Sequence, residues 1–338
     1  MPKIKKAEIT LDYQEYIFTP PIAPKQLWDR AASSDDVTIN KMGPLWVENV
    51  KANHKTHGPF KDRSVAKLFN SEHLKPVICV GSGPSLKRNG EELKDRKGIK
   101  AISCLHNFHF FEDRDIAIDY YLSLDAQDVV VEEVTEGGAN PPEWYWERTK
   151  GKTLIAYIGS PPKLLAKWQG EILFFNCPVP HESVDPIVDG VEVMHHYVAP
   201  GGNALGACVY VAKAILGCNP VVFMGADFSF SYDKKFHGWD SKYDKNIGQV
   251  MRAVDVFGNK VLTWGSYWGF KCYFDYVAQS VPGLYINCTE GGILGAYPEG
   301  NLICIQQMDL CDFYNMYNLN DLIKDVFDSV SGTKKVLY

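Results

Sequence analysis

Residues Val77-Ile78-Cys79-Val80 run directly into Gly81-Ser82-Gly83-Pro84-Ser85-Leu86. Four apolar residues stopped by glycine read as a short strand buried on both faces. Gly81 and Gly83 permit a sharp turn and a close approach of the backbone to a ligand. Pro84 suits the first turn of a helix, where its missing N–H would be unpaired anyway. The expected unit is strand, tight turn and helix N-terminus. Its backbone N–H groups and helix dipole form a cradle for an anion, with a nucleotide phosphate as the expected occupant. The alternative is a strand-to-helix turn with no ligand. Two related loops are excluded. A dinucleotide fingerprint needs a third glycine where Leu86 stands, and a P-loop needs Gly-Lys-Ser/Thr where Leu86-Lys87-Arg88 stands.

The pattern of that unit repeats along the chain. Ala101–Cys104, Tyr120–Leu124, Thr153–Tyr157, Ile172–Phe175, Val221–Met224, Lys260–Thr263 and Leu284–Asn287 read as further strands. Helical stretches lie between them, around Glu91–Arg96, over the alanine-rich Asn203–Leu216 and near the aromatic Tyr267–Ala278. Alternation of this kind predicts an α/β fold, Rossmann-like, with a mostly parallel sheet and helices on both faces. Residues 1–74 read as an N-terminal extension that packs on the main domain or on a partner, with helices over Leu45–Lys55 and Ser64–Leu74. Residues 75–315 form the nucleotide-binding catalytic domain, and 316–338 a C-terminal helix and tail. Residues 131–150, bearing Glu, Gly, Pro and Trp, read as an insertion loop or lid.

Composition narrows the class. The 338 residues are 46% hydrophobic and 22% charged, as in a globular protein, and the net charge of −6 gives no global basic footprint for nucleic acid. Nine cysteines lie scattered, mostly in apolar runs, without a Cys-x-x-Cys pair. Buried free thiols in a reducing compartment are expected. No apolar run reaches the length of a membrane span and no leader-like segment opens the chain, so a soluble cytoplasmic protein is expected.

Ligands of parallel sheets bind beyond the carboxyl ends of the strands, and a specific polar set collects there. Gly81, Ser82, Gly83 and Ser85 follow the first strand; His106, Asn107 and His109 the second; Asp125 and Asp128 the third. Gly201, Gly202 and Asn203 precede the long helix, Asp227 and His237 follow the Val221 strand, and Thr289 and Glu290 follow the last. Asp125 suits Mg²⁺ bridged to phosphates, or ribose hydroxyls, or a plain turn. Asn203 suits a helix N-cap beside a ligand. Asp227 suits orientation of a histidine, ligand binding or a structural hydrogen bond. His237 suits a general base, because imidazole titrates nearest neutrality, or is a solvated loop residue. His195 and His196, as strand neighbours, point to opposite faces and make a poor metal pair. Tyr232, Tyr243, Arg252 and Lys260 are further candidates for phosphate contact.

In this order, Gly81-Ser82-Gly83-Pro84-Ser85-Leu86, Ser123-Leu124-Asp125, Gly201-Gly202-Asn203, Leu216-Gly217-Cys218-Asn219-Pro220, Gly225-Ala226-Asp227-Phe228, His237-Gly238 and Thr289-Glu290-Gly291-Gly292 resemble a known family. It joins motility accessory factors, which are flagellin nonulosonate glycosyltransferases, with 6-hydroxymethylpterin diphosphokinases. The resemblance covers roughly residues 75–295. The same segments, with Cys104–Glu112, are similar to small sialyltransferases that use CMP-sialic acid.

The resemblance implies that Gly81, Ser82 and Gly83 line nucleotide phosphates, that Asn107, Gly202 and Asn203 contact the nucleotide, and that His237 is the base. It implies a nucleotide-sugar donor, CMP-linked by preference, and a sugar of nonulosonic or sialic-acid type passed to an acceptor hydroxyl. The acceptor stays open: protein hydroxyl, glycan, modified base or pterin. The diphosphokinase branch implies instead ATP with Mg²⁺ held by Asp125 and a second aspartate, Asp227 in that family reading, with Asp128 the neighbouring candidate. A third possibility is a non-catalytic nucleotide-binding protein whose first 74 residues recruit a partner.

Overall fold

The computed structural model describes residues 24–177, 198–233, 235–240 and 250–318, with side chains from residue 40 onward. His195, His196 and Tyr243 lie outside the described residues, as does all of the expected C-terminal tail beyond 318.

The expected strands form an eight-stranded sheet, all of whose pairings are parallel. In chain order they are β1 (Val77–Val80), β2 (Lys100–Cys104), β3 (Tyr120–Ser123), β4 (Thr153–Tyr157), β5 (Glu171–Phe175) and β6 (Val221–Met224). Next in the chain come β7 (Val250–Val254) and β8 (Lys260–Trp264), followed by β9 (Tyr285–Asn287) and β10 (Ile305–Gln307). The spatial order is β10-β9-β6-β1-β2-β3-β4-β5. The chain thus builds outward from β1 to β5, returns to pair β6 on the other side of β1, and continues the other way. All four residues of β1 are buried, as a strand covered by neighbours and by both faces requires.

The β7–β8 pair is not part of this sheet. It forms a separate antiparallel hairpin, Val250 opposite Trp264. The expectation that Lys260–Thr263 belongs with the parallel strands is corrected here. Its burial alternates, one side facing the core and the other exposed, the pattern of a strand covered on one face only. The hairpin is anchored by Thr263, whose hydroxyl donates to the Phe228 carbonyl at 2.6 Å, and by the Phe230 N–H on Leu262 O.

The helices are α1 (Pro24–His57), α2 (Leu86–Asn89), α3 (Phe108–Glu112), α4 (Val129–Glu133), α5 (Pro142–Arg148), α6 (Pro162–Lys167), α7 (Ala204–Tyr210) and α8 (Gly265–Ser280). Most are short, and α7 continues as a π-turn through Val211–Ile215. A last helical segment occupies 310–318. Residues 131–150 are not a loose insertion: they include α5, whose Tyr145 and Trp146 are buried, and the Tyr145 hydroxyl donates to Asp113. Among the described residues no helix is long and apolar enough to cross a membrane.

One long helix, α1, passes through Pro44 and reaches the sheet by two asparagines a turn apart. Asn49 Nδ2 donates to Ala126 O and Gly159 O, each at 2.9 Å. Asn53 Nδ2 donates to Ile158 O and Ser160 O, each at 2.8 Å. Both side chains are buried. They pair the carbonyls of the loops after β3 and β4, which no sheet ladder reaches. The helix therefore fixes the position of the loop that carries Asp125.

Replacing Asn53 by Ala removes two buried hydrogen bonds and strands two carbonyls. We expect a loss of about 2–3 kcal/mol in unfolding free energy, read from the urea midpoint at unchanged m-value.

Candidate active site

The order reversal between β1 and β6 is the point where an open parallel sheet admits a ligand. There the two strand ends are pressed together. Gly225, at φ +59°, stands so close that a Cβ on Gly81 would lie 2.6 Å from its carbonyl oxygen. A Cβ on Gly83 would collide with the carboxylate of Asp227. The Gly-x-Gly of the first turn thus makes room for β6 and for the Gly225–Asp227 segment beyond it.

Asp227 closes the junction. Its Oδ1 accepts from the Ser85 N–H at 3.2 Å and its Oδ2 from the Ser85 hydroxyl at 2.6 Å. Burial pushes its carboxyl up to about 6, so it is mostly ionised at neutral pH. Three amides of the turn are engaged within the protein: Gly81 N–H on Met224 O, Gly83 N–H on Gly225 O, and Ser85 N–H on Asp227. Of these three amides two meet backbone carbonyls, and the Ser85 N–H meets an anion of the protein's own, the Asp227 carboxylate. Of the roles expected for Asp227, orienting a histidine, binding a ligand or a structural hydrogen bond, the bond to Ser85 is the structural one.

Behind the turn, buried Asn107 joins three elements. Its Nδ2 donates to Gly81 O and Ser103 Oγ, each at 3.0 Å, and its Oδ1 accepts from the Trp239 indole N–H at 2.8 Å. The Trp239 backbone N–H also donates to Ser82 O at 2.9 Å. The segment carrying His237 is strapped over the first turn in this way. Asn107 braces the site from within and does not line it.

In front lies a cleft of ≈ 260 Å³ at the carboxyl ends of β1, β2, β3 and β6. It brings together Gly81, Ser82, Gly83, Asp125, Asn203 and His237 among the expected residues. Asn203 is also the N-cap of α7, its Oδ1 accepting from Gly206 N–H at 2.9 Å. Gly201 and Gly202 precede it outside the lining, facing the rings of Tyr273 and Phe270. Thr289 and Glu290 lie elsewhere. Thr289 Oγ1 accepts from Ala226 N–H, and the carbonyls of both take hydrogen bonds from Arg88 on α2. Asp125 is exposed at the rim and accepts from Gln127 N–H at 2.9 Å. Asp128, expected beside it as a metal ligand, is drawn off into an ion pair with Lys163. Among the described residues no group of three His, Cys, Asp or Glu converges to hold a metal ion.

The cleft holds two histidines in opposite charge states. His106 has a carboxylate at each ring nitrogen: Asp240 Oδ1 lies 2.9 Å from Nε2 and Glu133 Oε2 lies 3.5 Å from Nδ1. Burial opposes its charge, but the two carboxylates outweigh it and raise the imidazole to about 10. His237 is lowered instead, chiefly by burial, with the Asp240 charge opposing the shift and the His106 charge adding to it. It is therefore neutral at pH 7. Its ring packs on Trp264 at 5.0 Å, and the Tyr267 hydroxyl donates to its carbonyl at 3.1 Å and lies 3.5 Å from Nδ1. Glu133, Asp240 and Tyr267 are the residues that sequence reasoning missed. Glu133 sits in a stretch read as a loop, and Tyr267 on a helix read only as aromatic.

Relatives of the chain bear on this cleft. The family model for 6-hydroxymethylpterin diphosphokinase MptE-like proteins matches residues 47–233. The chain belongs to the MptE-like family. The match starts just before Asn49 and Asn53 and ends before His237, so it takes in the α1 clamp and most of the cleft lining, leaving out His237, Tyr267 and Phe270. Among solved structures, the MAf glycosyltransferase from Magnetospirillum magneticum AMB-1 is similar at 14% identity and a TM-score of 0.51. That similarity covers 74% of this chain and 38% of the other, and it bears on the fold. No curated protein matches the chain in sequence.

Two outcomes test this geometry. Gly83→Ala drives a methyl into Asp227 and is expected to destabilise by about 2 kcal/mol or more, measured by urea unfolding. His106 gains protons on folding, because its pKa rises from 6.5 to about 10. Its contribution is fully present below pH 6.5, declines above it and is gone above about pH 10. The stability difference between wild type and His106→Gln is therefore expected to shrink from pH 6 to pH 10 in parallel urea titrations.

Proposed function

We propose that this MptE-like chain is a transferase that binds a nucleotide-linked donor in the cleft and passes a sugar of nonulosonic or sialic-acid type to an acceptor hydroxyl. The observation that carries the reading is His237. It is a neutral imidazole held by Tyr267 and Trp264 at the point where the sheet admits a ligand. A general base must be unprotonated at working pH and fixed in direction, and His237 meets both needs.

In the reaction, His237 takes the proton from the acceptor oxygen as that oxygen bonds to the anomeric carbon of the donor sugar. The bond from that carbon to the phosphate oxygen breaks, and the nucleoside monophosphate leaves with the electron pair. Among the polar residues of the cleft, Ser82, Ser123, Asn203, Tyr267 and His237 are neutral, the His106 imidazolium stands against Glu133, and the Asp125 carboxylate lies at the rim. Asp227 serves by holding the turn, and Asn107 by holding the strap. Acceptors of the protein, glycan, modified-base and pterin classes all carry a suitable hydroxyl.

A second reading is supported by the family description and by Asp125. It is transfer of a diphosphate from ATP with Mg²⁺ to a hydroxymethylpterin-like substrate. Mg²⁺ is commonly held by one or two carboxylates together with substrate phosphates, where it neutralises phosphate charge. The rim carboxylate of Asp125 fits one such ligand; Asp128, paired with Lys163, does not supply another.

A thermal-shift panel with CMP, CDP, UDP, GDP and ATP, each with and without Mg²⁺, separates the two. A ligand at about 100 times its Kd adds about 2.7 kcal/mol and moves the midpoint by a few degrees. A metal-independent shift with CMP supports sugar transfer; a shift with ATP that needs Mg²⁺ supports the second reading. His237→Ala is expected to lower turnover by about 10²–10⁴-fold with nucleotide binding retained, and unchanged turnover removes His237 from the reaction.

A further inference from the structure

Ser123 is the last residue of β3 and lines the cleft. It is 2% exposed, and among the described residues its hydroxyl has no hydrogen-bond partner. Buried hydroxyls are nearly always paired, so an orphan on the wall of a ligand cleft marks where a ligand atom belongs. Two residues on, Asp125 lines the same cleft with an exposed carboxylate. Gln127 N–H occupies one acceptor site of its Oδ1, and an ionised carboxylate has about four.

The pair selects among ligand groups. A phosphate is repelled by the carboxylate of Asp125. A diol is matched: the carboxylate accepts from one hydroxyl in a charge-assisted bond, and serine donates to or accepts from its neighbour. Leu122, Leu124 and Val130 line the same wall and offer apolar contact to a sugar ring. β3 lies two strands from β1, about 10 Å at ordinary strand spacing, within the length of a mononucleotide that reaches toward the Ser82 turn.

We infer that Ser123, together with Asp125, is the subsite for the ribose of the bound nucleotide, and that Ser123 makes the protein select ribonucleotides over their deoxy counterparts. The inference rests on the nucleotide reading above.

The test is calorimetric titration of CMP, 2′-deoxy-CMP and 3′-deoxy-CMP into the full chain as wild type, Ser123→Ala and Asp125→Asn. If ATP with Mg²⁺ is the nucleotide bound, and CMP is not, Asp125 is taken by the metal and the ribose assignment falls with the sugar-transfer reading. Wild type is expected to bind the ribonucleotide about tenfold more tightly than at least one analogue. In Ser123→Ala that affinity is expected to fall about five- to tenfold, and the preference to shrink to within about twofold. Asp125→Asn is expected to weaken the ribonucleotide as well. The melting temperature of unliganded Ser123→Ala is expected to equal or exceed that of wild type, because the hydroxyl removed has no partner to lose.

Equal wild-type binding of the ribonucleotide and both analogues overturns the ribose assignment and leaves the nucleotide reading standing. The assignment falls equally if Ser123→Ala keeps wild-type affinity, or if its unliganded melting temperature drops. Failure of wild type to bind any nucleotide of the panel overturns the nucleotide reading itself, and the subsite with it.

Discussion

The molecule depends on a contact between two stretches of bare backbone. Gly81 and Gly225 end neighbouring strands and approach until neither can carry a side chain toward the other. Everything at the site is referred to that contact. Asp227 follows Gly225 and holds Ser85; Asn107 holds the Gly81 carbonyl; Trp239 holds both Asn107 and the Ser82 carbonyl. Gly292, at φ +71°, lies against the backbone of Asp227 and secures the junction from β9. A buried polar network of this kind is stiff when every member is paired.

Electrostatics then divides the labour between two identical side chains. His106 sits between carboxylates from α4 and from the strap, and it stays charged. His237 sits against rings and a tyrosine hydroxyl, and it stays neutral. Environments that push paired titratable groups apart in this way are how a site acquires separate acid–base roles. The charged member also helps to keep its neighbour neutral, since repulsion from His106 is one of the causes that lower His237.

Much of this is legible in the chain, for local reasons. The central strands are short apolar runs ended by glycine or by a polar residue, and burial on both faces demands that pattern. The residues of the Gly-Ser-Gly turn stand out in the sequence, but a sequence does not say what a glycine makes room for. Here it makes room for β6, contributed from far along the chain. Asp125, Asn203 and His237 do reach the cleft; Asp128, Thr289 and Glu290 are taken up by Lys163, Ala226 and Arg88. The long α1 is legible only in part, because Pro44 suggests a boundary where tertiary packing carries the helix through. The state of His106 is invisible in sequence, since Glu133 and Asp240 meet it only in three dimensions.

The placement of β6 has a kinetic corollary. Strands β1 to β5 can pair successively with short crossovers as the chain lengthens, but β1 then presents an open edge until β6 arrives. Closing so long a loop is entropically slow, and an unpaired apolar edge strand is a site for wrong pairings. Val77–Val80 is apolar throughout and bears no charge that would discourage them. The cleft therefore forms in the same step that protects the sheet, and a chain stalled before that step would lack the ligand site and carry an aggregation-prone edge together.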